Sequence, residues 1–280
     1  MKKKLLNLLP IACCLLPAAA NGQIIPDNTL PNNTIVAPNG QTINIEGGTR
    51  AGGNLFHSFQ EFNLGTGSTA FFNNAADIQS ILSRVTGGNI SNIDGLIRAN
   101  GGANLFLVNP AGIVFGPNVR LDIGGSFLAS SADSVIFDDG SFFSATDPNA
   151  PPLLTVNVPI GLQLGPNAGA IEVRGVGNPD LETLENTSLT VTPGRTIALV
   201  GGDVTFSGGA VIAPNGRIEI GSVVNGTVSL TPELLGWRLG YEETSQRGEI
   251  NLLGRSTLFS PTVTDLLPSG GIAVTGGRIV

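Results

Sequence analysis

The sequence predicts an all-β chain wound as a parallel β-helix, with an N-terminal cap and small strands or loops outside the coil. Composition is the first reason. The chain holds 39 Gly, 18 Pro and one Met, and only 12% of its 280 residues are charged. Helix surfaces draw on Ala, Leu, Glu, Lys and Arg, whereas this chain is rich in strand and turn formers. Patterning is the second reason. Apolar residues make up 41% of the chain and fall in short alternating runs, too many for disorder. Gly shows no three-residue period, which excludes collagen.

A recurring phrase is the third reason. Pro38-Asn39 precedes Ile43-Asn44-Ile45 and Gly47; Pro117-Asn118 precedes Leu121-Asp122-Ile123 and Gly124. Pro166-Asn167 precedes Ile171-Glu172-Val173 and Gly175; Pro214-Asn215 precedes Ile218-Glu219-Ile220 and Gly221. Pro sets the φ a turn needs and Asn tolerates the tight position after it. The apolar–polar–apolar triplet is a short strand with one buried face, and Gly permits the next corner. The copies stand 79, 49 and 48 residues apart, so the last two intervals read as two coils each, with a repeat in the low twenties. Stacked coils bury a continuous core and pair every strand edge except the ends. At that period the chain after residue 22 makes roughly 10–12 coils, a rod of about 50 Å.

The elements follow in order. Residues 1–22 are read as a signal peptide. Lys2, Lys3 and Lys4 form a basic start, Leu5 to Leu16 an apolar run, and Ala18, Ala19 and Ala20 a small-residue end, with cleavage near Gly22. That layout sends a chain through the general secretory pathway. Cys13 and Cys14 fit a lipid-attachment box poorly. Residues 23–280 form one β-helix domain in which Ile24 to Asn54 suits the cap a solenoid needs. Ile78, Ile81, Leu82 and Val85, between Asp77 and Gly87-Gly88, carry a helical period, and an irregular strand pair reads equally well. Residues 231–247 hold the single Trp237 and the single Tyr241 and read as a loop or an excursion from the rod. Gly271 to Val280 reads as the start of another coil, so the domain is expected to continue into a longer exoprotein.

Removing the signal segment removes every Lys and both Cys. The remainder carries 11 Arg against 21 Asp and Glu, a net charge of −10. Phosphate backbones need clustered positive charge, so a nucleic-acid partner is excluded. A chain without Cys forms no disulfide in the oxidising periplasm, which suits export in an unfolded state as well as it suits chance.

Two stretches carry a family resemblance. Leu55-Phe56-His57-Ser58-Phe59-Gln60-Glu61-Phe62-Asn63, followed by Phe72-Asn73-Asn74, resembles the family's His, Phe-x-x-Phe-Asn and Asn-Asn pattern. Ala103 to Ile113 resembles its apolar strand ending in Asn-Pro-Asn-Gly-Ile, with Ala111 in place of the second Asn. The family's Asn-Pro-Asn-Leu phrase is replaced by Gly88-Asn89-Ile90-Ser91-Asn92. The family is the haemagglutination-activity, or two-partner-secretion, domain of filamentous-haemagglutinin-type exoproteins. Val114 to Ser130 resembles the version found in cyanobacterial exoproteins, and the strong match runs from about residue 50 to 137. The resemblance implies a right-handed coil and recognition by periplasmic domains of an outer-membrane barrel transporter. It implies passage in the unfolded state, folding outside the cell, and a secreted or cell-surface location. Adhesion, with surface glycans as candidate targets, would then reside mainly in a longer C-terminal part.

The resemblance makes Asn109, Pro110, Gly112, Ile113, Phe59, Phe62, Asn63, Asn73 and Asn74 the candidate secretion motif. Each also has a plain structural reading. Asn109-Pro110-Ala111-Gly112 has the chemistry of a four-residue turn. Asn63, Asn73 and Asn74 suit corner hydrogen bonds, and Phe59, Phe62, Phe71 and Phe72 suit core or cap packing. His57, the single His, lacks partners for catalysis or a zinc site. Asp122, Glu172 and Glu219 sit mid-triplet and are expected on a solvated outer face. Asp133, Asp138 and Asp139 lack the nonapeptide calcium repeat. No cofactor or metal is expected. The competing readings are a carbohydrate-active β-helix enzyme, which needs convergent carboxylates, and a surface rod that binds polysaccharide directly.

Overall fold

The computed structural model describes residues 23–149, 154–177, 189–234, 236–263 and 270–280. The expected signal segment, with Cys13 and Cys14, lies outside the described residues. Every regular element among the described residues is a strand, and the strands wind into a parallel β-helix with three faces.

The longest sheet is the spine. Seven parallel strands stack in it: Asn54–Phe62, Ser80–Val85, Asn104–Val108, Phe127–Ser130, Thr196–Gly201, Arg217–Ser222 and Gly271–Thr275. Asn54 pairs with Ser80, Ser80 with Asn104, Leu105 with Phe127, Phe127 with Ile197, Thr196 with Arg217 and Arg217 with Gly271, steps of 26, 24, 22, 70, 21 and 54 residues. The plain coils therefore have the expected period. Two coils are long because each carries an insertion, so the described residues make seven rungs rather than 10–12, a rod of roughly 30 Å.

The second face stacks Ser91–Ile93, Ile113–Phe115, Ile171–Arg174, Val204–Ser207, Glu249–Leu253 and Arg278–Ile279, all parallel. The third face runs through Thr42–Gly47, Thr69–Phe72, Leu96–Ala99 and Arg120–Asp122, then through Leu189–Thr190, Ala210–Ile212 and Thr257–Phe259. The recurring Pro-Asn phrase falls on the third face twice, on the second once and on the spine once. It marks a corner, not a fixed place in each coil.

The N-terminal segment caps the rod, as expected. Ile24–Pro26 and Thr49–Ala51 lie antiparallel to the first spine strand, and Thr34–Asn39 forms a hairpin with Thr42–Gly47. Antiparallel pairing ends the parallel ladder at this side.

Both insertions leave the coil at one corner, between spine and second face. The first supplies Ser134–Phe137, Phe142–Ser144 and Pro159–Leu164; the second supplies the hairpin Asn225–Glu233 and Gly236–Gln246. They join through Gly161–Leu164 and Gly226–Ser229 into one five-stranded antiparallel sheet. Residues 231–247, expected as a loop or an excursion from the rod, are thus an excursion, and one that is mostly strand. This sheet covers the outer side of the spine. Leu55, Ile81, Leu105 and Ile197 point into the coil, while Phe56, Leu82, Phe106 and Ala198 point out against Phe137, Phe143, Leu162 and Trp237. Phe106 meets Trp237 with 4.9 Å between ring centroids. A strand buried on both faces reads as a nearly continuous apolar run. That is why Ile78 to Val85 mimics a helical period although it holds the strand Ser80–Val85.

Candidate recognition surface

The candidate motif residues lie at the first corners of the coil. Asn109 closes the corner between the third spine strand and the second face, and it is 0% exposed. Its Nδ2 donates to Asn89 O and Ser91 Oγ, both at 2.9 Å, and its Oδ1 accepts from Ala111 N at 3.0 Å. One side chain thus satisfies its own turn and ties it to the coil below. Pro110 O accepts from Gly169 N at 2.9 Å. Gly112 has φ +112°, and a Cβ there would stand 2.6 Å from Ala170 O. Ile113 starts the next second-face strand inside the core.

The first motif behaves alike. Phe59 and Phe62 are buried and pack edge to face at 5.1 Å, with Phe72 stacked on Phe62 at 6.2 Å. Asn63 Oδ1 accepts from Asn92 N at 2.8 Å, one coil on. Asn74 accepts from Asn100 N at 2.9 Å and donates to Asn100 O at 3.1 Å. Asn73, exposed, donates to Glu46 Oε1 at 3.1 Å and accepts from Asn100 Nδ2 at 3.2 Å. These asparagines form corner ladders between successive coils. Asn63 also lines a groove of about 890 Å³ with Glu61, Asn89, Asn92 and Asp94.

His57 sits under the cap. Its Nδ1 lies 3.2 Å from Thr34 Oγ1, and its ring packs against Phe72 at 5.5 Å. Burial pushes its pKa down to about 3, so the ring is neutral and structural. The acidic positions divide. Asp122 lies at the surface beside Arg98, 3.2 Å away, and Glu172 pairs with Arg174 at 2.7 Å. Glu219 departs from the expectation: it is 1% exposed, roofed by the second hairpin and paired with Arg217 at 2.7 Å. Burial drives its carboxyl above the usual range, against the pull of Arg217. Asp139 accepts from the backbone N and Oγ of Ser141, which with Thr155 holds its carboxyl well below the usual range.

Sequence reasoning missed a heavily bonded pair of this region, Arg84 and Asp27. Arg84 is buried on the outer side of the second spine strand. Its guanidinium donates to Ser58 Oγ at 2.8 Å, Thr29 Oγ1 at 2.8 Å, Pro148 O at 3.2 Å and Ser144 O, and it lies 4.5 Å from the centre of the Phe143 ring. Ser58, Thr86 and Thr29 in turn donate to Asp27 at 2.6, 2.8 and 2.8 Å. Burial raises the Asp27 carboxyl, and these bonds outweigh it, leaving the group below its ordinary value. The network joins the cap, the second coil and the first insertion. An arginine inside an apolar run was its one signal in the sequence.

A family model for the TPS secretion domain matches residues 22–274. The chain belongs to this family. The family is defined by secretion rather than by a catalysed reaction. The TPS fold recurs in the solved HMW1 secretion domain from Haemophilus influenzae, which is 17% identical at a TM-score of 0.55 and is matched over 90% of this chain. The chain spans 61% of the length of that HMW1 chain. The filamentous hemagglutinin secretion domain is a looser likeness, 15% identical at a TM-score of 0.41, covering 92% of this chain and 99% of that one. A search of curated proteins returns no match.

Proposed function

We propose that this TPS domain is the N-terminal export module of a longer adhesin-like exoprotein. Residues 1–22 direct the chain through the general secretory pathway. Periplasmic domains of an outer-membrane barrel transporter then read it while it is unfolded, and the β-helix forms outside the cell. Glycans of host or neighbouring cells are targets for the rest of the exoprotein. One observation carries the reading. Phe59, Phe62, Asn109 and Ile113 are all buried to within 1%, so a transporter that reads them must do so before the coil closes. Folding then removes these four from view, while Asn73 stays exposed and Asn63 lines a groove. Coil-by-coil stacking needs few distant contacts in the plain rungs, which favours folding as the chain emerges.

The test expresses residues 1–280 with and without the cognate barrel transporter, beside Asn109→Ala. Secondary structure is followed by circular dichroism, and binding of the denatured chain to the isolated periplasmic domains is measured in parallel. Transporter-dependent release, with weaker binding of the denatured variant, is expected. Release without the transporter, or full retention in the periplasm with it, overturns the proposal. Equal binding of both denatured chains confines Asn109 to the fold.

A further inference from the structure

The extra-helical sheet turns one face to the spine and the other to solvent. Across the outer face the register sets Phe142 beside Ile136, Ile136 beside Gly161, Gly161 beside Ser229 and Ser229 beside Gly240. The two glycines and the serine leave a trough of about 450 Å³. On one side stands an apolar wall of Ile136 and Phe142, the latter 53% exposed.

The other side is acidic because of a bulge. Strand alternation turns Tyr241 inward. The register then shifts, so that Ser229 faces Gly240 and Thr227 faces Glu243. Such an extra residue re-aims the side chains beside it, and here Glu242 and Glu243 are consecutive and both exposed. Both line the trough, and Glu242 bends over Gly240, where a Cβ would lie 2.6 Å from its Oε2. The ion pairs among the described residues use other carboxylates. Among the described residues, no cationic side chain lines the trough.

This arrangement repels anions and leaves two carboxylates without a counter-charge beside an apolar wall. From Ile136 to Gly240 is three strand spacings, about 14 Å, the length of about four residues of extended chain. Between Ile136 and Gly240 the floor is Gly161 and Ser229, so no side chain larger than serine's rises from it, and an extended backbone can approach closely. We propose that the trough binds an extended peptide segment carrying an apolar side chain and, four residues on, a lysine or arginine. The cation sits at Glu242 and Glu243, and the apolar group covers Ile136 and Phe142. The site needs strands from both insertions, so it exists only in the folded domain and does not depend on how the domain is exported.

The test uses a fluorescein-labelled Leu-Ser-Gly-Ser-Lys-Lys peptide and fluorescence anisotropy with the folded domain. Glu242→Gln/Glu243→Gln should weaken binding about tenfold at low salt, and Phe142→Ser about fivefold. Asp122→Asn/Glu249→Gln removes the same charge from other faces and should change binding less than twofold. Thermal melts confirm that each variant is folded. Equal weakening by the remote pair, or binding indifferent to Phe142→Ser, would mean diffuse attraction to an acidic protein and would overturn the site. So would a Leu-Ser-Gly-Ser-Glu-Glu peptide that binds as tightly.

Discussion

Replacing Arg84 with Met keeps the stem and removes the guanidinium. The bonds to Ser58, Thr29, Ser144 and Pro148 go, together with the stacking on Phe143. Two carbonyl oxygens lose a donor, and the partly buried Asp27 loses its nearby cation. Breaking one side of a buried charged network costs about 3–5 kcal/mol, a large share of the roughly 5–15 kcal/mol that holds a domain folded. Guanidinium unfolding should show the lower midpoint. Amide exchange should quicken together in residues 24–30 and 142–148, which are far apart in sequence and joined through Arg84. A cycle with Asp27→Asn should give a coupling of at least about 1 kcal/mol. A loss below about 1 kcal/mol, with unchanged exchange in both segments, would refute the reasoning.

Other perturbations separate the corners from the roof. Gly112→Ala forces a Cβ against Ala170 O at positive φ and should cost about 3 kcal/mol in a melt. Gly88→Ala, also at positive φ but in open space, should cost about 1 kcal/mol; equal losses would contradict the corner geometry. Asp27 has a folded pKa below its ordinary 3.8. Its contribution is therefore present above that value and lost as pH falls through the folded pKa, and Asp27→Asn should flatten the acid limb of the stability profile. Glu219 has a folded pKa above its ordinary 4.5, the opposite case. Its contribution is full below that value and lost as pH rises through the folded pKa, so Glu219→Gln should gain on the wild type from pH 4 to pH 7. The single Trp237, on the inner side of the hairpin against Phe106, reports this by fluorescence, and a difference that shrinks with pH would reverse the assignment.

Local chemistry determined much of this protein without any structure. Strand-forming composition, Gly corners and alternation predicted the coil, and the antiparallel cap fell where Ile24 to Asn54 suggested. Asn63, Asn74 and Asn109 proved to be corner residues, because an amide beside a turn has few other uses. What the sequence could not supply was the pairing of distant segments. The coil count failed because two insertions, indistinguishable locally from coils, leave the rod and pair with each other 62 to 68 residues apart, as at Leu164 with Gly226 and Gly161 with Ser229. That pairing buries the outer side of the spine, and so it decides the fates of Glu219, Arg84 and Trp237. A polar residue in an alternating strand points outward on pattern alone. Whether outward means solvent or a second core depends on what another part of the chain lays over it, and only the tertiary structure contains that.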